Sequence, residues 1–287
     1  MLIVTGASGK LGTLVVEALL RLVSAEKIGV SVRDPQKLAA LAARGVRVRQ
    51  GDYTDADSLR YAWQGVSRVL LVSSNARTSG VDPLKQHETA IAVAKELGAE
   101  RIFYTSQASS SAQSQFPPAR DHAATEAMLA ASGLAWTALR HGFYADSAIG
   151  MNAHGFASGK LVGPEDGKVA WATHEDLAEA DACLLAGQEV FEGATPPLTG
   201  SESLDLADLA QMASTLTNRM VTREQISENT LLQHLENSGM PAPVKSVILG
   251  YYRAAQAGEF AVVDPTLARI LGRAPSLMRD VLTRALA

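Results

Sequence analysis

Over the first 140 residues, short apolar runs alternate with stretches whose apolar positions recur every three or four residues. Residues 2–4, 28–32, 46–49, 68–72, 101–105 and 136–140 are the short runs, rich in Val, Ile and Leu. Such runs suit strands buried on both faces of a parallel sheet. Residues 11–23, 35–44, 57–63, 82–97 and 119–132 carry the helical spacing between them. The punctuation agrees. Asp34 and Pro35 supply an N-cap and a first-turn proline, and Gly98 and Gly133 follow helix ends. This β-α-β rhythm predicts an α/β fold with a doubly wound parallel sheet. Its crossovers should be right-handed.

The rhythm changes after about residue 145, where Gly, Asn and Pro punctuate residues 141–164. Residues 204–216, 229–237, 244–257 and the last dozen have helical spacing. The expected organisation is a nucleotide-binding domain over residues 1–145. A smaller, mostly helical, substrate-side lobe over 146–287 should pack on the same sheet. Residues 108–118, rich in Ser and Gln, form a loop directly after a strand, where doubly wound folds hold ligands.

Composition narrows the class. Of 287 residues, 47% are hydrophobic and 20% charged, as in soluble globular proteins. The net charge of −4 argues against a nucleic-acid partner, which would call for a basic surplus. No apolar run reaches the 18 or more residues that span a bilayer, and the first residues read as a strand rather than a signal peptide. The one cysteine, Cys183, cannot form an internal disulfide and reads as a small buried hydrophobe in a helix. A cytoplasmic location is expected; a homodimer is allowed but not required.

The chemistry begins at the end of the first strand. Gly6, Ala7, Ser8, Gly9, Lys10, Leu11 and Gly12 place three glycines at Gly-x-x-Gly-x-x-Gly between strand and helix. Gly6 makes the tight turn, Gly9 lets backbone approach a pyrophosphate, and Gly12 permits close helix packing. The helix N-terminus then offers unpaired N–H groups and a positive dipole end to the phosphates. Strand, triplet and helix in this order are the context of a Rossmann-type dinucleotide site. The second strand ends in Arg33 and Asp34. Arg33 can clamp a 2′-phosphate in a bidentate way, whereas Asp34 before Pro35 is explained as a helix cap. The pattern therefore favours NADP(H) over NAD. Asp52 and Tyr53, after the third strand, either edge the adenine or make an ordinary turn.

A carbonyl reductase of the short-chain type pairs a catalytic tyrosine with a lysine four residues on. None of the six tyrosines has that lysine. No His, Cys, Asp and Glu set has metal-ligand spacing, and no Gly-x-Ser-x-Gly elbow occurs. Candidate site residues are therefore sought at strand ends and helix starts. His122 opens a helix, and its imidazole can hold a ribose or donate a proton. Gln86 and His87 lie on the helix after the fourth strand, as ligand contacts or as a plain polar face. His141 and Tyr144 follow the C-terminal end of a strand. Tyr104 is read as a core strand residue, and His174 as a helix-start residue.

Residues 4–12, 32–35, 51–53, 70–74, 86–87, 104–106, 121–126 and 139–144 together resemble the NmrA-like branch of atypical short-chain dehydrogenases. Within it they are similar to the bacterial NADPH:quinone oxidoreductase and triphenylmethane-dye reductase group. The likeness covers nearly the whole chain and weakens after about residue 218. It implies that Gly6, Ser8, Gly9, Lys10 and Leu11 line the pyrophosphate and that Arg33 meets the 2′-phosphate. It further implies that Ser73, Ser74 and Asn75 sit beside the inner ribose. Thr137, Ala138, Leu139, Arg140 and Gly142 would border the nicotinamide, and His122 would stand where many relatives carry an active-site lysine. His141 departs from the group, which commonly has asparagine there. The implied activity is NADPH-dependent hydride transfer to a quinone or another flat, conjugated small molecule. The alternative is a non-enzymatic NADP(H)-sensing regulator that binds a protein partner.

Overall fold

A computed structural model describes residues 1–286 of the chain. From the N-terminus it forms β1 (Leu2–Thr5), α1 (Lys10–Leu19), β2 (Ile28–Val32), α2 (Ala39–Ala43), β3 (Arg47–Gln50), α3 (Ala56–Ala62), β4 (Arg68–Leu71), α4 (Pro83–Glu96), β5 (Arg101–Gln107), α5 (Pro117–Ser132) and β6 (Trp136–His141). It continues through β7 (Phe143–Tyr144), α6 (Ala145–Met151), α7 (Ala153–Ser158), β8 (Lys160–Gly163), β9 (Trp171–Ala172), α8 (His174–Ala186) and β10 (Gly193–Ala194). The remainder is α9 (Leu206–Thr217), β11 (Thr222–Gln225), α10 (Glu228–Asn237), α11 (Ala242–Gln256), α12 (Thr266–Leu271) and α13 (Met278–Leu286).

Two compact units divide the chain. The first holds residues 1–106, 121–140 and 174–196, and the second holds 107–120, 141–173 and the chain from 197 on. The first unit is the α/β fold expected: a seven-stranded parallel sheet in the order β3-β2-β1-β4-β5-β6-β10 with flanking helices. Its inner strands read as apolar runs because they are covered on both faces: all five residues of β2 are buried, whereas the edge strand β3 has none fully buried. The face of α1 that turns inward carries Leu11, Val15, Val16, Ala18 and Leu19, and α1 packs against α8. Each of its larger side chains contributes about 1.5–3 kcal/mol by leaving water. Trp63, Leu59, Ile102 and Tyr104 are among the side chains that fill the core on another part of the sheet.

The sheet contains a strand that periodicity does not announce. β10 is two residues long and joins the edge by pairing Gly193 with Thr137 and Ala194 with Ala138. Residues 35–44 also differ from the single helix expected. They form a 3₁₀ turn over Pro35–Leu38 and then the short α2, while Asp34 caps the turn by accepting the Gln36 N–H at 3.2 Å.

In the second unit, Phe116, Phe143, Trp171, Tyr251 and Phe260 build an aromatic core, with Phe143 at 5.1 Å from both Tyr251 and Phe260. This unit is helical but not only so: β8 pairs with β11 and β7 with β9, both in parallel. Residues 141–164, where Gly, Asn and Pro are frequent, contain α6, α7 and β8. Among the described residues, no helix is long and apolar enough to cross a membrane.

Candidate functional site

The glycine loop owes its shape to backbone constraints. Gly6 has φ +59°, in the left-handed region that favours glycine, and the Gly9 N–H closes the turn on the Gly6 carbonyl at 2.9 Å. A Cβ at Gly12 would lie 2.5 Å from that carbonyl oxygen and 2.8 Å from the Cα of Ala7. Gly12 thus lets the helix pack against the loop's own backbone. The Thr13 hydroxyl fastens the loop by donating to the Ala7 carbonyl at 2.8 Å. Gly9 is the N-cap of α1 and has no side chain to cap it. The first-turn N–H groups therefore keep their affinity for an anion.

A cavity of about 520 Å³ opens beside this loop, within the range of small-ligand pockets. Gly6, Ser8 and Gly9 line it together with Ser31–Arg33, Gly51–Tyr53, Val72–Ala76 and Gln86. Arg33 is exposed, and its charge contributes to the acidity of Asp52. The Asp52 carboxyl is held below the usual carboxylate range chiefly by the Thr54 N–H, with help from the Thr54 hydroxyl. These features fit a dinucleotide phosphate: a glycine-rich loop, an uncapped helix start and an exposed guanidinium on one cavity. Ala7, Leu11 and Gly12 are buried behind the loop, and Lys10 is exposed at the first position of α1.

The opposite wall is the segment that leaves β4. Its three consecutive N–H groups are accepted by side chains from three elements. Val72 donates to Thr5 Oγ1 of β1 at 2.9 Å, and Ser73 to Thr105 Oγ1 of β5 at 2.8 Å. Ser74 donates to His87 Nε2 of α4 at 2.9 Å. Tyr53 donates its hydroxyl to the Val72 carbonyl at 2.8 Å, and the Ser74 hydroxyl donates to Gln86 Oε1. Gln86, sought as a catalytic group, thus belongs to the wall that carries Ser73, Ser74 and Asn75.

Behind the wall, His87 is 1% exposed and its Nδ1 lies 2.8 Å from Thr125 Oγ1. Burial pushes its imidazole down to about 4, so it stays neutral. Tyr104 packs edge-to-face on His87, and its hydroxyl lies 2.8 Å from Nδ1 of His122. The residue before His122, Asp121, is paired with Arg77.

The expected nicotinamide border divides between the two units. Thr137, Ala138 and Leu139 are fully buried within β6, and the Thr137 hydroxyl donates to the Phe191 carbonyl at 2.6 Å. Arg140 pairs through Nη2 with Glu126 at 2.7 Å, and Glu126 also accepts the Ser106 hydroxyl at 2.6 Å. In the second unit, Gly142 donates to the Leu198 carbonyl at 2.8 Å, and a Cβ there would stand 2.9 Å from the Ala170 carbonyl oxygen. His141 is 1% exposed, with Nδ1 3.4 Å from the Tyr144 hydroxyl.

Sequence reasoning passed over three residues. Thr5 and Thr105 were plain strand-end threonines, and Tyr104 was a core aromatic. Besides the resemblance carried by residues 104–106, the signal for the two threonines is a hydroxyl at or near the C-terminal end of a parallel strand, where such folds place ligands. Cys183 is half-buried and burial pushes its thiol up, away from the reactive thiolate.

Comparison with known proteins gives a consistent picture. The model of the NAD(P)H-binding family matches residues 6–180. Quinone oxidoreductase 2 of Escherichia coli (strain K12) is 33% identical over 281 residues, covering 98% of this chain and 96% of that protein. The structure of the NADPH-dependent quinone oxidoreductase of E. coli complexed with NADPH matches at a TM-score of 0.93 and 32% identity, covering 100% of both chains. That of the Citrobacter sp. triphenylmethane reductase complexed with NADP(H) matches at 0.90 and 30% identity, covering 99% of this chain and 100% of the other.

Proposed function

The chain belongs to the NAD(P)H-binding family, and we propose that it is an NADPH-dependent reductase of flat, conjugated acceptors such as quinones. Its broader class, NAD(P)H-dependent oxidoreductase, follows from the relatives it matches along its length. The observation that carries the finer reading is the cavity uniting the glycine loop, Arg33 and the Ser73–Asn75 wall, in a chain that lacks the tyrosine-lysine acid.

When bound, the reduced nicotinamide supplies a hydride. The protein's work is to bind and orient. The uncapped start of α1 takes the pyrophosphate, and Arg33 pairs with the 2′-phosphate that distinguishes NADPH from NADH. The wall at Ser73 and Ser74 seats the ribose. An unactivated aldehyde that receives a hydride develops a localised alkoxide and wants a positioned acid, worth about 10²–10⁴-fold. A quinone spreads the charge over its ring and second oxygen, so water can protonate it later. The same argument makes His122 an orienting group here rather than an indispensable acid.

The test is NADPH oxidation, followed by absorbance, with a benzoquinone and with an unactivated aldehyde. The quinone should turn over at least about 10²-fold faster. Equal or better turnover of the aldehyde refutes the acceptor class. Tight NADPH binding with no turnover on any acceptor refutes the reductase.

A further inference from the structure

We propose that Tyr53 is a positioning residue of the cofactor cavity: it braces the turn after β3 against the segment after β4 and so sets the separation at which the two walls meet NADPH. The inference rests on the reading above of this cavity as the NADPH site.

The two walls follow strands that do not touch. Gly51 and Asp52, on one side, come after β3, and Val72, Ser73 and Ser74, on the other, come after β4. The sheet order puts β2 and β1 between those strands, which makes three strand spacings, about 14 Å. No ladder joins β3 to β4, so the distance between the walls depends on sheet twist and on what the connecting segments reach. Tyr53 reaches across. Its ring packs on the core and lines the cavity, and its hydroxyl donates to the Val72 carbonyl at 2.8 Å. Burial pushes the phenol well above the usual tyrosine range, so the donated hydrogen is kept.

Both ends of the brace are anchored. At the far end, the Val72 N–H donates to Thr5 Oγ1 at 2.9 Å, and that oxygen also meets the Tyr53 hydroxyl. Val72 is thus gripped at its N–H and at its carbonyl by two hydroxyls in contact with each other. At the near end, the Gly51 N–H donates to the Val32 carbonyl at 3.0 Å, and the Asp52 N–H to the Ser58 hydroxyl at 2.9 Å. A shift of either wall therefore pulls on the other.

Intact NADPH needs both walls at once. Adenosine 2′,5′-bisphosphate offers a 2′-phosphate to Arg33 and a 5′-phosphate to the glycine loop, but it has no nicotinamide-side ribose for Ser73 and Ser74. A fixed separation removes an ordering cost from the ligand that spans it and is indifferent to a fragment that does not.

The test is calorimetric titration of NADPH and of adenosine 2′,5′-bisphosphate into full-length wild type and Tyr53→Phe, which keeps the ring and loses the hydroxyl. NADPH should bind about three- to tenfold more weakly to the variant, the worth of one hydrogen bond, while the bisphosphate changes less than about twofold. A merely structural role would weaken both ligands alike, so the split between them is the diagnostic. Unchanged NADPH affinity overturns the proposal, and so does equal weakening of the two ligands. If Tyr53→Phe fails to fold, Thr5→Val decides. It removes the oxygen shared by Val72 and Tyr53 but keeps a β-branched strand residue, and it must show the same split; without the split the proposal falls. A wild type that does not bind NADPH overturns the reading of the cavity itself, a result distinct from any seen in the variants.

Discussion

Acid should loosen the first unit through His87 before its other groups explain the loss. In the folded state this imidazole is held to about 4 by burial, against 6.5 when free. Between those values the unfolded chain binds a proton that the folded chain refuses, so stability falls as pH falls. The stabilisation is complete above 6.5, and the full linkage loss is reached only below about 4. From the two values, the loss relative to neutral pH is about 2 kcal/mol at pH 5 and about 3 kcal/mol at pH 4. The physical event is specific. A protonated Nε2 cannot accept the Ser74 N–H, so one attachment of the cavity wall is lost with the charge. His87→Gln supplies the control. Its amide oxygen can accept the same N–H but does not titrate, and it should start less stable at pH 7 because it fills the site less well. Urea unfolding of both proteins from pH 7.5 to 4, as about pH units in half steps, gives the difference between their unfolding free energies; carboxylates titrate alike in both and cancel. That difference should shrink by about 2 kcal/mol at pH 5. A difference independent of pH would refute the neutral, accepting His87.

Two further outcomes test the cofactor side. Arg33→Ala should remove a tenfold to hundredfold preference for NADPH over NADH, from a charge-assisted contact of about 1.5–3 kcal/mol, as read by titrating both cofactors into both proteins; a preference left intact would clear Arg33 of the role. Gly9→Val and Gly12→Val should separate binding from folding. At Gly9 a Cβ meets only the Gly6 carbonyl oxygen, at 3.3 Å, so that variant should melt near wild type yet gain no stability from NADPH. At Gly12 the Cβ meets backbone at 2.5 Å, so that variant should lose stability outright.

The fold is legible where structure is local. Most of the first six strands are apolar runs buried on both faces, the edge strand β3 being the exception, and the helices between them have apolar spacing and recognisable caps such as Asp34 and Gly98. β10 is invisible because a Gly-Ala pair carries no periodicity. α8 can be read as a helix from its start at His174. Its place beside α1 cannot, because buried residues on nearly all its sides leave no single apolar stripe to point inward. The same rule sorts the site. The glycine loop announces itself because phosphate binding there uses backbone conformation within seven residues, Gly6 to Gly12. The Tyr104–His122 contact spans 18 residues and the Ser74–His87 contact 13, and no spacing rule on a strand or a helix joins such pairs.

The wall after β4 shows why those distant side chains are needed. The sheet order places β1 and β4 side by side, while their next neighbours, β2 and β5, lie on opposite sides. This is the topological switch point, where adjoining connections diverge and a crevice opens at the strand ends. Divergence has a cost. β4 ends at Leu71, and beyond it the ladder no longer supplies acceptors for the next N–H groups. Left unpaired and partly buried, each would cost about 1–3 kcal/mol. Thr5 comes from one neighbouring strand, Thr105 from the other, and His87 from the helix that follows β4. The two threonines are β-branched residues that also suit a strand, so they continue the sheet with side-chain oxygens where its backbone oxygens run out. The segment that would otherwise be the loosest part of the crevice is thereby tied at three successive residues. A ligand entering that crevice meets a wall already ordered, and the ordering entropy is not charged against its binding.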